Sequence, residues 1–140
     1  MTPVIETLAL THGAALVMLS AAATRAEEIG QPQCIVIVDA SGETLAELRM
    51  TGAKYLSRKS ALTKARTAAS IRAATTAIPE AVRPAIAAAT GGAVTGLGGG
   101  LPVFVQGRLV GGIGIGSGSA EQDIDVARAA LAAIGASAEA

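Results

Sequence analysis

Aromatic side chains are almost missing from this 140-residue chain: there is no tryptophan, Tyr55 is the only tyrosine and Phe104 the only phenylalanine. Base-stacking platforms are therefore nearly absent, and the formal net charge is zero, so neither stacking nor bulk charge favours DNA, RNA or an anionic membrane. Cys34 is the single cysteine, which excludes an internal disulfide and a cysteine-rich zinc site. His12 is the single histidine, and no acid stands four residues from it, so it makes no non-haem metal site. Met1–Glu6 lacks a basic segment leading into an apolar run, so no secretory signal is expected and the protein reads as cytoplasmic. The apolar stretch Leu8–Ala23 contains His12 and soon meets Arg25, Glu27 and Glu28, which fits a soluble helix better than a membrane span.

Alanine and glycine fill the space that aromatics leave. Half of the residues are apolar and 17 are glycine, enough for one domain over residues 1–140 with a closely packed core. Val4, Leu8, His12, Ala15, Leu19, Ala22, Ala26 and Ile29 follow at steps of three and four and predict a first helix from about Val4 to Ile29. Cys34–Val38 reads as a buried strand, Asp39–Gly42 as a turn and Glu43–Met50 as the returning strand. A second helix is expected from about Ala53 to Ala74. Thr75 and Thr76 break it, and Pro79 opens a short helix that Pro84 interrupts.

The stretch from Gly98 to Ala130 holds the strongest local signals. Pro102–Val105 and Leu109–Gly116 form a hairpin around Gln106–Arg108. In the second strand Leu109, Gly111, Ile113 and Ile115 point one way, and Val110, Gly112, Gly114 and Gly116 the other. Ser119 and Gln122 have capping-box spacing and start a last helix, about Ala120–Ile134. The expected fold is α/β of the α+β type: one domain with a central antiparallel sheet of four to five strands, covered by about three main helices. A glycine-bare face and an alanine-rich surface need covering, so a homo-oligomer is expected.

The glycines do not have the spacing of a dinucleotide fingerprint, and no Gly-Lys-Ser/Thr follows a glycine loop. Gly116-Ser117-Gly118-Ser119 opens a helix, where free amides attract an anion, although Ser119 itself caps those amides.

The segments Arg49-Met50-Thr51-Gly52-Ala53, Lys64-Ala65-Arg66-Thr67-Ala68, Gly98-Gly99-Gly100-Leu101-Pro102 and Gln122-Asp123 resemble the GlcG/HbpS-type haem-binding-protein family, which also contains the C-terminal domain of certain corrinoid adenosyltransferases. The likeness spans nearly the whole chain and keeps motif order. It implies a small α/β fold with a central antiparallel sheet, oligomers of that unit and, for some members, binding of haem or an influence on its degradation. The chain departs from the family at Gly114-Ile115-Gly116-Ser117-Gly118-Ser119, where a Gly-Val-Ser-Gly-Gly-like turn is expected.

Candidate site residues follow. His12 reads either as a haem-iron ligand, as a general acid or base, or as a half-buried imidazole bonded to a backbone carbonyl. Cys34 approaches it if helix one packs across the sheet; otherwise it is a small buried hydrophobe. Lys64, with Thr67 one turn on and Arg49 and Arg66 as helpers, suits a carboxylate or propionate, or an ion pair with an acid such as Asp123. A pocket is expected between helix two, the Gly98–Gly100 turn and the Gly116–Ser119 turn. It would use Gly99, Gly100, Gly116, Ser117 and Gly118 beside Arg49, Lys64 and Thr67. A small-molecule or cofactor-binding protein of the haem-binding type is the leading expectation. A cofactor-independent isomerase, hydratase or lyase using His12, Lys64 or Asp123 on a small acid is the second. A structural assembly partner is the third. The basic run Lys54, Arg58, Lys59, Lys64, Arg66, Arg72 is expected to be a solvated or interface face rather than a nucleic-acid site.

Overall fold

The β-branched run of the sequence becomes the middle of a sheet. In the computed structural model, which describes all 140 residues, strand β1 (Cys34–Asp39) lies between β2 (Thr44–Arg49) and β4 (Arg108–Gly116), and β3 (Gly100–Val105) flanks β4. The order is β2-β1-β4-β3, antiparallel throughout. Cys34 through Val38 are all buried, as a central strand covered on both faces requires.

Period-two alternation then divides the core. Ile35, Ile37, Ile113 and Ile115 point to a layer made by α1 (His12–Glu28) and α4 (Ala120–Ala133), where they meet Met18, Ala22, Val126 and Ala130. Cys34, Val36 and Val38 point to α2 (Ser57–Ile71) and meet Ala61, Ala65 and Ala69. The helices on the two faces make the expected α+β domain. A seven-residue α3 (Arg83–Ala89) follows two 3-10 turns, Thr75–Ala77 and Glu80–Val82.

The bare strand face expected from the glycine alternation packs on the backbone of α2. A Cβ on Gly112, Gly114 or Gly116 would run into the carbonyl oxygens of Ala65, Ala61 and Ser57 respectively. Small residues on both partners bring helix and sheet to backbone contact, and no larger residue fits there.

Three expectations need correction. The first helix starts at His12, not Val4: Thr11 is its N-cap, and its hydroxyl accepts from Ala14 N at 3.1 Å. Residues 1–10 form an arm whose Val4 and Ile5 are 75% and 82% exposed, so the helical spacing of Val4 and Leu8 marks no buried stripe. Val110 belongs with Ile113 and Ile115, not with the glycine face, because β4 carries a bulge. Phe104 pairs with Leu109 and Val103 with Gly111, which leaves Val110 as the extra residue and shifts the alternation. Pro84 does not interrupt a helix but sits in the first turn of α3, where its missing amide hydrogen costs nothing.

The β1–β2 turn is held by one carboxylate. Asp39 Oδ1 accepts from Ser41 N, Ser41 Oγ and Glu43 N at 2.9, 2.7 and 3.1 Å, and these bonds, led by the Ser41 hydroxyl, hold its pKa below the usual range. A lowered folded pKa stabilises above the unfolded value, about 3.9, and the gain is lost as pH falls through the folded value. Asp39→Ala is therefore expected to lower the melting temperature at neutral pH, with the gap to wild type closing at strongly acid pH. A gap independent of pH removes the electrostatic part of this account.

Candidate functional site

The glycine turns, α2 and the start of α4 meet at one corner of the sheet. Lys64 projects from the buried side of α2, and Asp123 lies in the first turn of α4, where a carboxylate complements the helix dipole. Lys64 Nζ donates to Asp123 Oδ2 at 2.9 Å and to the Ile115 carbonyl at 2.7 Å. The two residues are 5% and 1% exposed. Gly99 allows this approach: at φ 117° a Cβ there would crowd Asp123 Cβ, the Ile115 carbonyl and Lys64 Nζ. Gly100 runs against the Lys64 carbonyl and Thr75.

The remaining polar groups of the corner bind one another. Gly118 N donates to Asp123 Oδ1 and to Gln33 Oε1, both at 3.1 Å. Ser119 N donates to Gln122 Oε1, and Gln122 N returns the bond to Ser119 Oγ, completing the expected capping box. Ser117 Oγ accepts from Lys54 N and donates to Ser57 Oγ. The Gly118 and Ser119 amides are thus occupied by side chains, and Lys64 is buried against Asp123. Its ammonium holds α2 to α4 around the end of the sheet.

Gln33 is the member of this corner that the sequence reading missed. It is fully buried, and its Nε2 finds no partner. The signal was available: at period two Gln33 shares the face of Ile35 and Ile37, so a polar residue there had to be buried.

The other candidates lie apart from the corner. Thr67 is buried, and its Oγ1 accepts from Thr95 N, tying the segment before β3 to α2. Arg49 is exposed at the end of β2, lining a groove of about 500 Å³ with Glu27, Gln31 and Met50. Arg66 Nε donates to the Gly42 carbonyl. Cys34 faces α2 while His12 belongs to α1 on the other face, so the two do not meet. Burial pushes the Cys34 thiol up, and its Sγ donates to the Lys54 carbonyl, so it is a thiol rather than a nucleophilic thiolate at neutral pH.

His12 is exposed at the first turn of α1 and makes no hydrogen bond, which corrects the expectation of a half-buried imidazole bonded to a carbonyl. Leu16, one turn on, and Val17 are 57% and 49% exposed. Both ring nitrogens of His12 are therefore free, and exposed apolar side chains lie one turn on. No three His, Cys, Asp or Glu side chains gather as a metal site, and no helix is long and apolar enough to cross a membrane.

Known proteins of the same architecture match this chain along nearly its whole length. The Citrobacter freundii corrinoid adenosyltransferase PduO is 42% identical over 119 residues, 81% of this chain but 36% of that protein. The chain thus spans about a third of the length of that relative. The crystal structure of the PduOC:heme complex superimposes with a TM-score of 0.89 at 34% identity, covering 95% of this chain and all of that one. The crystal structure of HbpS gives a TM-score of 0.83 at 35% identity, with 93% of each chain covered. The family model described as "Haem degrading protein HbpS-like" matches residues 10–132, and the chain belongs to this HbpS-like family.

Proposed function

We propose that this chain binds haem and that His12 would hold the iron through a ring nitrogen. The observation that carries the reading is the free, exposed imidazole beside Leu16 and Val17. The family's description and the haem complex among its structural neighbours support it. Haem would bring redox and ligand-exchange chemistry at its iron. The chain's own part is to present the ring nitrogen and an apolar surface beside it. Acid–base chemistry on a small acid is less well supported, because Lys64 and Asp123 are closed to solvent and already paired. His12 is the accessible member of that trio. Self-association and a cytoplasmic setting belong to the same proposal; a buried, unpaired thiol suits a reducing compartment.

A hemin titration of wild type and His12→Ala tests it. Wild type is expected to show a saturable Soret shift at one equivalent per chain or fewer, and the variant to lose it. Equal, unsaturable binding by both removes His12 as a ligand and defeats the proposal.

A further inference from the structure

Charge on this neutral chain is sorted by layer. Helix α2 contains Arg58, Lys59, Lys64 and Arg66 and no acid, and Lys54 precedes it. On the other side of the sheet, α1 and α4 carry Glu27, Glu28, Glu121 and Asp125 outward, against Arg25 and Arg128. Within a chain these sets barely meet. The pair Lys64–Asp123 is internal, Arg58 pairs with Glu47 of β2, and Arg25 serves Glu28 and Asp125. Lys54, Lys59, Glu27 and Glu121 are exposed and have no ion-pair partner.

Each layer also exposes apolar surface. Tyr55 and Leu56, at the entry to α2, are 70% and 61% exposed, in a chain that has only one other aromatic residue. Exposed tyrosines of this kind anchor interfaces. Across the molecule Leu16 and Val17 are exposed near the start of α1, roughly 15 Å along the helix from Glu27. A contact drawn at the Glu27 and Glu121 end therefore leaves the surface proposed for haem free.

We propose that the basic face of α2, entered through Tyr55 and Leu56, docks on the acidic α1–α4 layer of a second copy of this chain. The inference rests on the self-association included in the proposed function and names its surfaces. Charge complementarity selects the occupant: every copy carries both halves, and zero net charge gives no long-range pull toward nucleic acid or an anionic membrane. The contact joins two different surfaces, so it runs head to tail and closes into a ring or continues as an array.

The test is light scattering at low and high salt on three samples. These are wild type, the variant Lys54→Glu/Lys59→Glu and the variant Glu27→Lys/Glu121→Lys. All four positions are exposed, and unchanged melting temperatures would show that the variants fold. Wild type is expected to associate at low salt and weaken at high salt. Each reversed variant alone should associate roughly tenfold less tightly, a shift of about 1.4 kcal/mol. An equimolar mixture of the two should recover association, because one variant's α2 then matches the other's α1–α4 layer. Tyr55→Ser is expected to weaken association at both salt concentrations. A wild type that stays monomeric overturns both the inference and the self-association behind it. An assembly indifferent to the reversals, or a mixture that fails to recover, overturns this interface alone. Capture of monomeric wild type by phosphatidylserine vesicles would give the basic face to a lipid surface and overturn it as well.

Discussion

Gly114→Val is expected to unfold the protein or lower its melting temperature by at least about 10 °C. A Cβ at this position falls on the Ala61 carbonyl and lies 2.6 Å from Ala65 N, so the obstacle is helix backbone that no rotamer change can move. Overpacking in a core costs about 1–3 kcal/mol where side chains can shift. Here α2 itself has to lift from β4, so the cost exceeds that range. Native stability is only about 5–15 kcal/mol, and each lost kcal/mol lowers the melting temperature by several degrees in a domain of this size. Thermal melting followed by circular dichroism reads the effect. A variant that melts like wild type would show that the helix does not need this contact. Gly107→Ala is a poor control because its φ is +73°, whereas Gly13→Ala meets nothing closer than 3.9 Å and is expected to be nearly neutral.

Lys64→Met should cost about 3–5 kcal/mol, the usual penalty for leaving one member of a buried ion pair alone. Asp123 would remain 1% exposed with Gly118 N as its surviving donor, and the Ile115 carbonyl would lose the ammonium. Asp123→Asn keeps an oxygen for Gly118 N and is expected to cost less. The double variant Lys64→Met/Asp123→Leu should recover much of the single loss, because two desolvated charges disappear together. Urea unfolding of wild type, Lys64→Met, Asp123→Leu and the double variant gives the coupling directly. Additive losses, or a double variant worse than either single one, would mean that the pair does not act as a unit. If Lys64 instead holds an anionic ligand, Lys64→Met would leave stability unchanged and weaken binding only.

Much of the fold was legible because the relevant patterns are local. The run Cys34–Val38 could only be a buried strand, the glycines of β4 could only mark a close approach, and Ser119 with Gln122 wrote the start of α4 in four residues. The arm was misread because Val4, Leu8 and His12 have helical spacing, while the capping oxygen of Thr11 decides where the helix begins. Val110 was misplaced because a bulge leaves no mark in an alternating pattern; only the pairing partner reveals it. The corner was legible in part of its membership and not in its use. Lys64, Asp123, Gly99 and Gly118 do converge, but whether a convergence of charge is open or filled depends on depth, which spacing does not encode. Gln33 shows the opposite failure, a residue whose burial was readable and whose partners were not.

The contact between α2 and β4 is also a matter of commensurate lengths. Successive glycines two residues apart on the strand meet carbonyls four residues apart on the helix: Ser57, Ala61 and Ala65. Two strand residues advance about 6.6 Å and four helix residues about 6.0 Å. The two rulers therefore agree to roughly a tenth and drift by about 0.6 Å at each step. Over three contacts that drift stays small enough for each missing side chain to lie beneath a carbonyl. Over twice the length it would approach half a helical turn, and the teeth would no longer mesh. The patch ends at Gly116, where the strand itself ends. Within it, the helix can neither slide by one residue nor roll without driving a carbonyl off its gap. The bare face thus works as a vernier that indexes α2 along the sheet, and it fixes where Lys64 arrives at the corner.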